Sequence, residues 1–151
     1  MTTVLVVEDD PTVAELIRAV VNDVPGWGAI VAYDAPSAMN FLEFVRADVL
    51  VVDVMLPGMT GIEMLAALRN TPGWREPPTL LMSANVSAQA VDRALGSDPY
   101  IQFMAKPFDI DDLIVSISRA LESRRLDREA GRISPRRPIR PADRSVGVRA
   151  S

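Results

Sequence analysis

Short apolar runs alternate with longer amphipathic stretches along most of the chain. Val4–Val7, Val49–Val52 and Thr79–Met82 are apolar at almost every position, which is typical of strands buried on both faces of a parallel sheet. Two further runs with the composition of strands are Ala29–Tyr33 and Tyr100–Met104. The pattern therefore predicts five strands.

Stretches with a helical spacing of apolar residues separate the predicted strands. Pro11–Val24 carries six aliphatic residues at helical spacing and begins with a proline, which suits the first turn of a helix. Asp109 is a candidate N-cap for a last helix. The spacing predicts three more helices, over Ser37–Val45, Ile62–Arg69 and Ala88–Leu95.

Strands that alternate with helices imply right-handed crossovers and a parallel sheet covered on both faces. We therefore predict an α/β fold, a doubly wound (βα)5 unit with a five-stranded parallel sheet. In such sheets ligands bind beyond the carboxyl ends of the strands, near the point where the strand order reverses. The residues that follow the apolar runs are the candidates for a functional site.

Missing residue types exclude several kinds of chemistry. The sequence has no cysteine and no histidine, so disulfides, zinc sites built on cysteine, and Ser-His-Asp or Cys-His catalysis within this chain are excluded. No run approaches the ~20 apolar residues of a membrane span, and the N-terminus lacks the pattern of a signal peptide. We expect a cytoplasmic protein with no membrane partner.

Charge is divided unequally along the chain. Residues 1–123 hold seven Lys and Arg against 17 Asp and Glu, a net charge of −10, whereas residues 124–151 hold nine Arg and three acids, a net charge of +6. The second part is also rich in proline and poor in large aliphatic residues. We predict one domain over 1–123 and a basic tail over 124–151 that is disordered or extends the last helix.

Every predicted strand but the second is followed by polar residues of chemical interest. Three acids, Glu8 to Asp10, follow the first strand, and Asp53 follows the third. Ser83 follows the fourth strand, and Lys106, the sole lysine of the chain, follows the fifth. Parallel strands bring these positions to one edge of the sheet.

Carboxylates gathered at one edge repel each other, and a hard divalent cation such as Mg²⁺ relieves this repulsion. The ammonium of Lys106 is able to pair with Asp53 and later with a phosphoryl oxygen, and the Ser83 hydroxyl is able to donate to another. A carboxylate nucleophile can form an acyl phosphate. The edge is therefore a candidate site for phosphoryl transfer.

Four motifs in order resemble the receiver domains of bacterial response regulators. They are E-D-D at 8–10, D-V-M-L-P-G-M-T-G at 53–61, M-S-A at 82–84 and K-P-F at 106–108. Each motif is weak by itself, but four at the ends of four strands make a specific match. The resemblance covers residues 3 to about 122 and implies a flavodoxin-like strand order, 2-1-3-4-5.

The resemblance implies a role for each candidate residue. Asp53 would be the phosphoacceptor. Glu8 and Asp9 would be the acidic pair of a Mg²⁺ site, with Asp9 as the direct ligand of the two, and the Met55 carbonyl would be a further ligand. Lys106 would contact the phosphoryl group and precede a cis peptide bond. The switch residues implied by the family are Ser83 and Phe103.

The same resemblance implies partners. Members of the family accept a phosphoryl group from a phosphohistidine of a sensor histidine kinase or histidine phosphotransfer protein and slowly hydrolyse the product. They are not enzymes acting on other substrates. A stand-alone receiver would signal to a downstream protein effector through the face made by the fourth helix, the fifth strand and the last helix. We expect a monomer or a phosphorylation-dependent dimer, and no nucleic-acid partner.

Three other interpretations of the sequence stay open. A haloacid-dehalogenase-type phosphatase or phosphotransferase also forms an aspartyl phosphate, but it expects an acid two residues after the nucleophile, where this chain has Met55. A nucleotide-binding module expects a Gly-rich loop after the first strand, where this chain has acids. A degenerate receiver that acts only as a binding module is the third.

Overall fold

The computed structural model describes residues 1–85, 87–131 and 137–138. The five long strands alternate with five helices along the first 130 residues, as the hydrophobic pattern predicted. The strands are β1 (Thr2–Val7), β2 (Trp27–Ala32), β3 (Val49–Asp53), β4 (Arg75–Glu76), β5 (Thr79–Ser83), β6 (Ile101–Ala105) and β7 (Arg137–Pro138). The helices are α1 (Pro11–Asn22), α2 (Ala35–Phe44), α3 (Gly61–Arg69), α4 (Ala88–Leu95) and α5 (Ile110–Glu129).

The main sheet has five strands in the order β2-β1-β3-β5-β6, and all neighbouring strands are parallel. The two-residue β4 lies outside this sheet, so the order equals the predicted 2-1-3-4-5 when the five long strands are counted. The predicted fold is confirmed. The strand order reverses between β1 and β3, which places their carboxyl ends where such folds bind ligands.

The core lies on both faces of the sheet because successive side chains of a strand point to opposite faces. Leu5, Leu50 and Leu81 face one side, where α2, α3 and α4 cover them. Val6, Val51 and Met82 face the other side, where α1 and α5 cover them. Central strands buried on both faces explain why their sequences are apolar throughout.

Each of the five helices begins at a polar residue that caps it. Asp10 accepts hydrogen bonds from the amides of Thr12 and Val13 at the start of α1, where Pro11 occupies the first turn. Thr60 forms a capping box with Glu63 at the start of α3. The predicted cap Asp109 is confirmed, and Asp34 and Ser87 cap the other two helices.

The last helix continues past the predicted domain boundary at residue 123. α5 ends at Glu129. Arg124 belongs to the predicted basic tail, but it is only 5% exposed. Its guanidinium lies 5.1 Å from the centre of the Tyr100 ring and donates to the carbonyl oxygen of Glu76 at 3.4 Å. The division at 123 remains a prediction, and residues 132–136 and 139–151 of the predicted tail lie outside the described residues.

The proline-rich connection between α3 and β5 contains a strand that the sequence did not indicate. Arg75 and Glu76 of β4 pair antiparallel with Pro138 and Arg137 of β7. This pairing is remote in sequence, so hydrophobic periodicity carried no sign of it. Among the helices described, none has the length and apolar character that crossing a bilayer requires.

Candidate functional site

Three carboxylates meet at the carboxyl ends of β1 and β3. Val7 pairs with Val52 in the sheet, so the residues that follow, Glu8 and Asp53, lie side by side. Carboxylate oxygens of Glu8, Asp9 and Asp53 all lie within 4.8 Å of one another. The side chains of Glu8 and Asp53 are almost fully buried, whereas Asp9 is exposed.

Lys106 brings a positive charge to these acids from the end of β6. Its Nζ lies 3.0 Å from Oδ2 of Asp53 and also donates to Oε1 of Glu8. The Lys106 amide donates to the carbonyl of Ser83 at 3.0 Å, and the Lys106–Pro107 peptide bond is cis, as predicted. The ammonium therefore bridges the two buried carboxylates.

One ammonium does not fully compensate the buried negative charge. Burial raises the pKa of Glu8 to about 7, although the hydrogen bond from Lys106 opposes this, and the neighbouring Asp53 raises it further. For Lys106, burial lowers the pKa, but the hydrogen bonds to Glu8 and Asp53 outweigh burial and raise it. A second cation at this edge would be stabilised by the same carboxylates.

The Glu8 carboxyl makes stability depend on pH in protein kept free of divalent cations by a chelator. Its pKa is higher in the folded state than the value of 4.5 in the unfolded chain, so between pH 4.5 and 7 the folded state binds more protons. Stability therefore falls as the pH rises through this window, by at most about 1.4 kcal/mol per pH unit. Urea unfolding at a series of pH values measures this.

The Glu8→Gln variant is the control, because its side chain cannot titrate. We expect its stability to change less over the same pH window. The raised pKa of Lys106 affects stability only above pH 10.5, because both states are protonated below the unfolded value. Equal pH profiles for Glu8→Gln and the unsubstituted protein would show that another group titrates.

The Asp53 side chain is held at both oxygens. Its Oδ1 accepts a hydrogen bond from the Met55 amide at 2.9 Å, and its Oδ2 contacts Lys106. The Met55 side chain points away from the core and is half exposed. The carbonyl of Met55 as a metal ligand remains a prediction.

Ser83 and Phe103 occupy different positions relative to the acids. Ser83 ends β5, next to β3, and is buried. Its Oγ accepts a hydrogen bond from the Asn85 amide at 3.1 Å. Phe103 lies three residues before Lys106 and packs, half-buried, against the core on the side of α2, α3 and α4. The structure does not place Phe103 with the carboxylates, and its switching role remains a prediction.

Asp10 and Gly61 lie near the site and have structural roles. Asp10, the third acid of E-D-D, is the N-cap of α1 and is not a member of the carboxylate cluster. Gly61, to which the sequence pattern assigned no role, lies against the end of β3. A Cβ at this position would meet the Asp53 carbonyl oxygen at 2.5 Å and Cγ1 of Val52 at 2.8 Å. Its only sequence signal is the last glycine of the motif after Asp53.

Replacing Gly61 by Ala should destabilise the protein by about 1–3 kcal/mol, because the backbone of β3 has to shift to admit a methyl group. Gly28→Ala is a suitable control. A Cβ there would meet only the sulfur of Met1, the end of an exposed and flexible side chain. Urea unfolding of both variants tests this, and equal losses of stability would contradict it.

Comparisons with known proteins agree with the geometry of this site. The family model described as response regulator receiver domain matches residues 4–118. A probable transcriptional regulatory protein of Mycobacterium tuberculosis, TcrX, is 38% identical over 122 residues, which are 79% of this chain and 49% of the relative. The DNA-binding response regulator MtrA of Mycolicibacterium smegmatis is 32% identical over 120 residues, 78% of this chain and 50% of the relative.

Solved structures give the same result. The receiver domain of the Francisella response regulator 1452 has a TM-score of 0.66 and 31% identity, over 82% of this chain and 98% of that one. The chemotaxis response regulator CheY4 of Vibrio cholerae has a TM-score of 0.70 and 27% identity, over 80% and 99%. The chain spans about half the length of the curated relatives it matches, and the matched half is the receiver domain. The chain therefore belongs to the response regulator receiver domain family of two-component systems.

Proposed function

We propose that this chain is a phosphorylation switch that accepts a phosphoryl group on Asp53 in a Mg²⁺-dependent reaction. The donor would be a phosphohistidine of a sensor histidine kinase or histidine phosphotransfer protein. The observation that supports this most directly is the contact between Asp53 and Lys106 at 3.0 Å within a group of three converging carboxylates.

The donor set fits a magnesium ion. Three carboxylates whose oxygens lie within 4.8 Å of one another offer the hard oxygen ligands that Mg²⁺ prefers. Glu8, Asp9, Asp53 and the carbonyl of Met55 would hold it, with Asp9 as the direct ligand of the acidic pair. When bound, the ion supplies positive charge that offsets the charge of the carboxylates and of the incoming phosphoryl group.

In the transfer step a carboxylate oxygen of Asp53 bonds to phosphorus while the bond from phosphorus to the donor histidine nitrogen breaks. The electron pair of that bond stays on the imidazole, and Asp53 becomes an acyl phosphate. Lys106 moves from a carboxylate oxygen to a phosphoryl oxygen, and the Ser83 hydroxyl donates to another. Fixed donors of this kind stabilise the charge of the transition state.

The product would then change the surface that a partner protein recognises. Ser83 would turn toward the phosphoryl group, and Phe103 would follow it into the space near β5. The two arrangements differ at the face formed by α4, β6 and α5, which would bind a downstream protein effector. The chain would catalyse only its own phosphorylation and dephosphorylation.

Incubation with acetyl phosphate tests the proposal without a cognate kinase. With Mg²⁺ we expect the intact mass to increase by one phosphoryl group, and peptide mapping to place the group on Asp53. With a chelator in place of Mg²⁺ we expect no adduct. An adduct that forms equally well without the metal, or that maps to another residue, would contradict the assignment.

A further inference from the structure

A cavity to which the proposed function gives no role lies at the opposite end of the sheet from Asp53. A groove of about 230 Å³ opens at the amino ends of β3 and β5. Its walls come from the segment 45–48 before β3, the segment 73–78 before β5 and the C-terminal half of α5. None of the described residues that line it belongs to the carboxylate cluster, so the phosphoryl-transfer proposal leaves the groove unexplained.

The charge that the groove presents is positive. Arg46, Arg75 and Arg128 line it and are exposed. None of the three forms an ion pair or a side-chain hydrogen bond with any residue that the structure describes. Three guanidinium groups around one small groove favour an anion, because each offers a planar set of donors that matches phosphate oxygens.

The two acids among the described lining residues are already engaged. Asp48 accepts a hydrogen bond from the amide of Thr3 at 2.8 Å, and Glu76 is held at both oxygens by Arg69, at 2.9 and 2.7 Å. Arg124 also lines the groove but is bound to the Glu76 carbonyl and the Tyr100 ring. The described lining has four arginines against these two acids, a net charge of +2.

Trp74 gives the groove an aromatic wall. The residue is half-buried, and its Nε1 is shielded from solvent without an acceptor among the described residues. Solvent does not reach this atom, so a ligand in the groove does not reach it either. Trp74 contributes the part of its indole that lines the groove, on which a planar ring stacks.

We propose that this groove binds a small organic phosphate that carries a planar ring, such as a mononucleotide. The phosphates contact Arg46, Arg75 and Arg128, and the ring lies against Trp74. The groove is smaller than the ~300–1,000 Å³ of typical ligand pockets, which suits one ring and its phosphates. The described residues that line the groove are not members of the carboxylate cluster.

Calorimetric titration of the full chain with ADP tests the site, with a chelator present so that no metal bridges the nucleotide to the acidic edge. In the triple variant Arg46→Gln, Arg75→Gln, Arg128→Gln we expect the Kd to rise at least about tenfold, since charge-assisted hydrogen bonds are lost. The matched control removes three other arginines by the same substitution, the exposed Arg93 and Arg119 and the half-buried Arg18. We expect its Kd to stay within about twofold of the unsubstituted protein.

Fluorescence supplies a second readout because the chain has two tryptophans. In Trp27→Phe, where Trp74 is the sole tryptophan, ADP should quench the emission, and in Trp74→Phe it should not. Pyrophosphate should bind more weakly than ADP, since it lacks the ring. Four results would overturn the proposal: no ADP binding at millimolar concentration, equal losses in both triple variants, pyrophosphate binding as tightly as ADP, or binding of a DNA duplex without binding of ADP.

Discussion

Replacing Asp53 by Asn is expected to abolish phosphorylation by acetyl phosphate. The amide is not a nucleophile toward phosphorus, and it removes one of the three carboxylates that would hold Mg²⁺. The side chain keeps its shape, and its oxygen is still able to accept the hydrogen bond from the Met55 amide. The variant should therefore fold, and the intact mass measured by mass spectrometry should show no added phosphoryl group.

Asp10→Asn is the matched control for this experiment. Asp10 is two residues from Glu8 in sequence, but it caps α1 and is not part of the carboxylate cluster. Asn caps a helix about as well as Asp, so the control removes a nearby negative charge without disturbing the fold. It should be phosphorylated like the unsubstituted protein. An adduct on Asp53→Asn would mean that another residue is the acceptor.

Replacing Lys106 by Ala should slow phosphorylation about a hundredfold, the effect of removing one fixed donor from a charged transition state. The ammonium contacts Asp53 and Glu8. Among the described residues, no other side-chain cation contacts these two buried acids. Removing the ammonium leaves the phosphoryl oxygens without that donor. A time course of the intact mass at fixed Mg²⁺ and acetyl phosphate measures the rate.

Arg119→Ala is the control for loss of one positive charge, since Arg119 is exposed on α5 away from the acids. We expect its phosphorylation rate to be unchanged and the fold of both variants to be largely intact. If Lys106→Ala reacts as fast as Arg119→Ala, the proposed role of the ammonium in phosphoryl transfer is wrong.

The two variants separate the steps of the proposed reaction. Asp53 provides the oxygen that forms the new bond, so its loss leaves no acceptor. Lys106 stabilises charge without bonding to phosphorus, so its loss leaves a slow reaction. A complete loss for one variant and a partial loss for the other is the pattern expected of a nucleophile and an electrostatic partner.

The hydrophobic pattern did not predict the burial of Arg124 or the short strand β4. Arg124 was assigned to the basic tail because arginines dominate the residues that follow it. Its burial depends on Tyr100 and the backbone of Glu76, contacts that are distant in sequence. Likewise β4 is a strand only because residues 137–138 pair with it. Hydrophobic periodicity indicates which residues of a segment are buried, but it does not indicate which distant segments pair.

The sequence by itself determined the order of the five long strands and five helices, the Asp109 cap and the identity of the polar residues at the strand ends. These follow from local rules, namely side-chain alternation, helical spacing and capping. The sequence also predicted that these polar residues meet at one edge of the sheet, and only the tertiary structure decided the individual contacts between them. In the folded chain Lys106 contacts both Glu8 and Asp53, and Asp10 caps α1. Gly61 packs against β3, and Trp74 lines the groove together with the arginines. Those outcomes depend on sheet register and on crossovers between residues far apart in the chain, which no local pattern encodes.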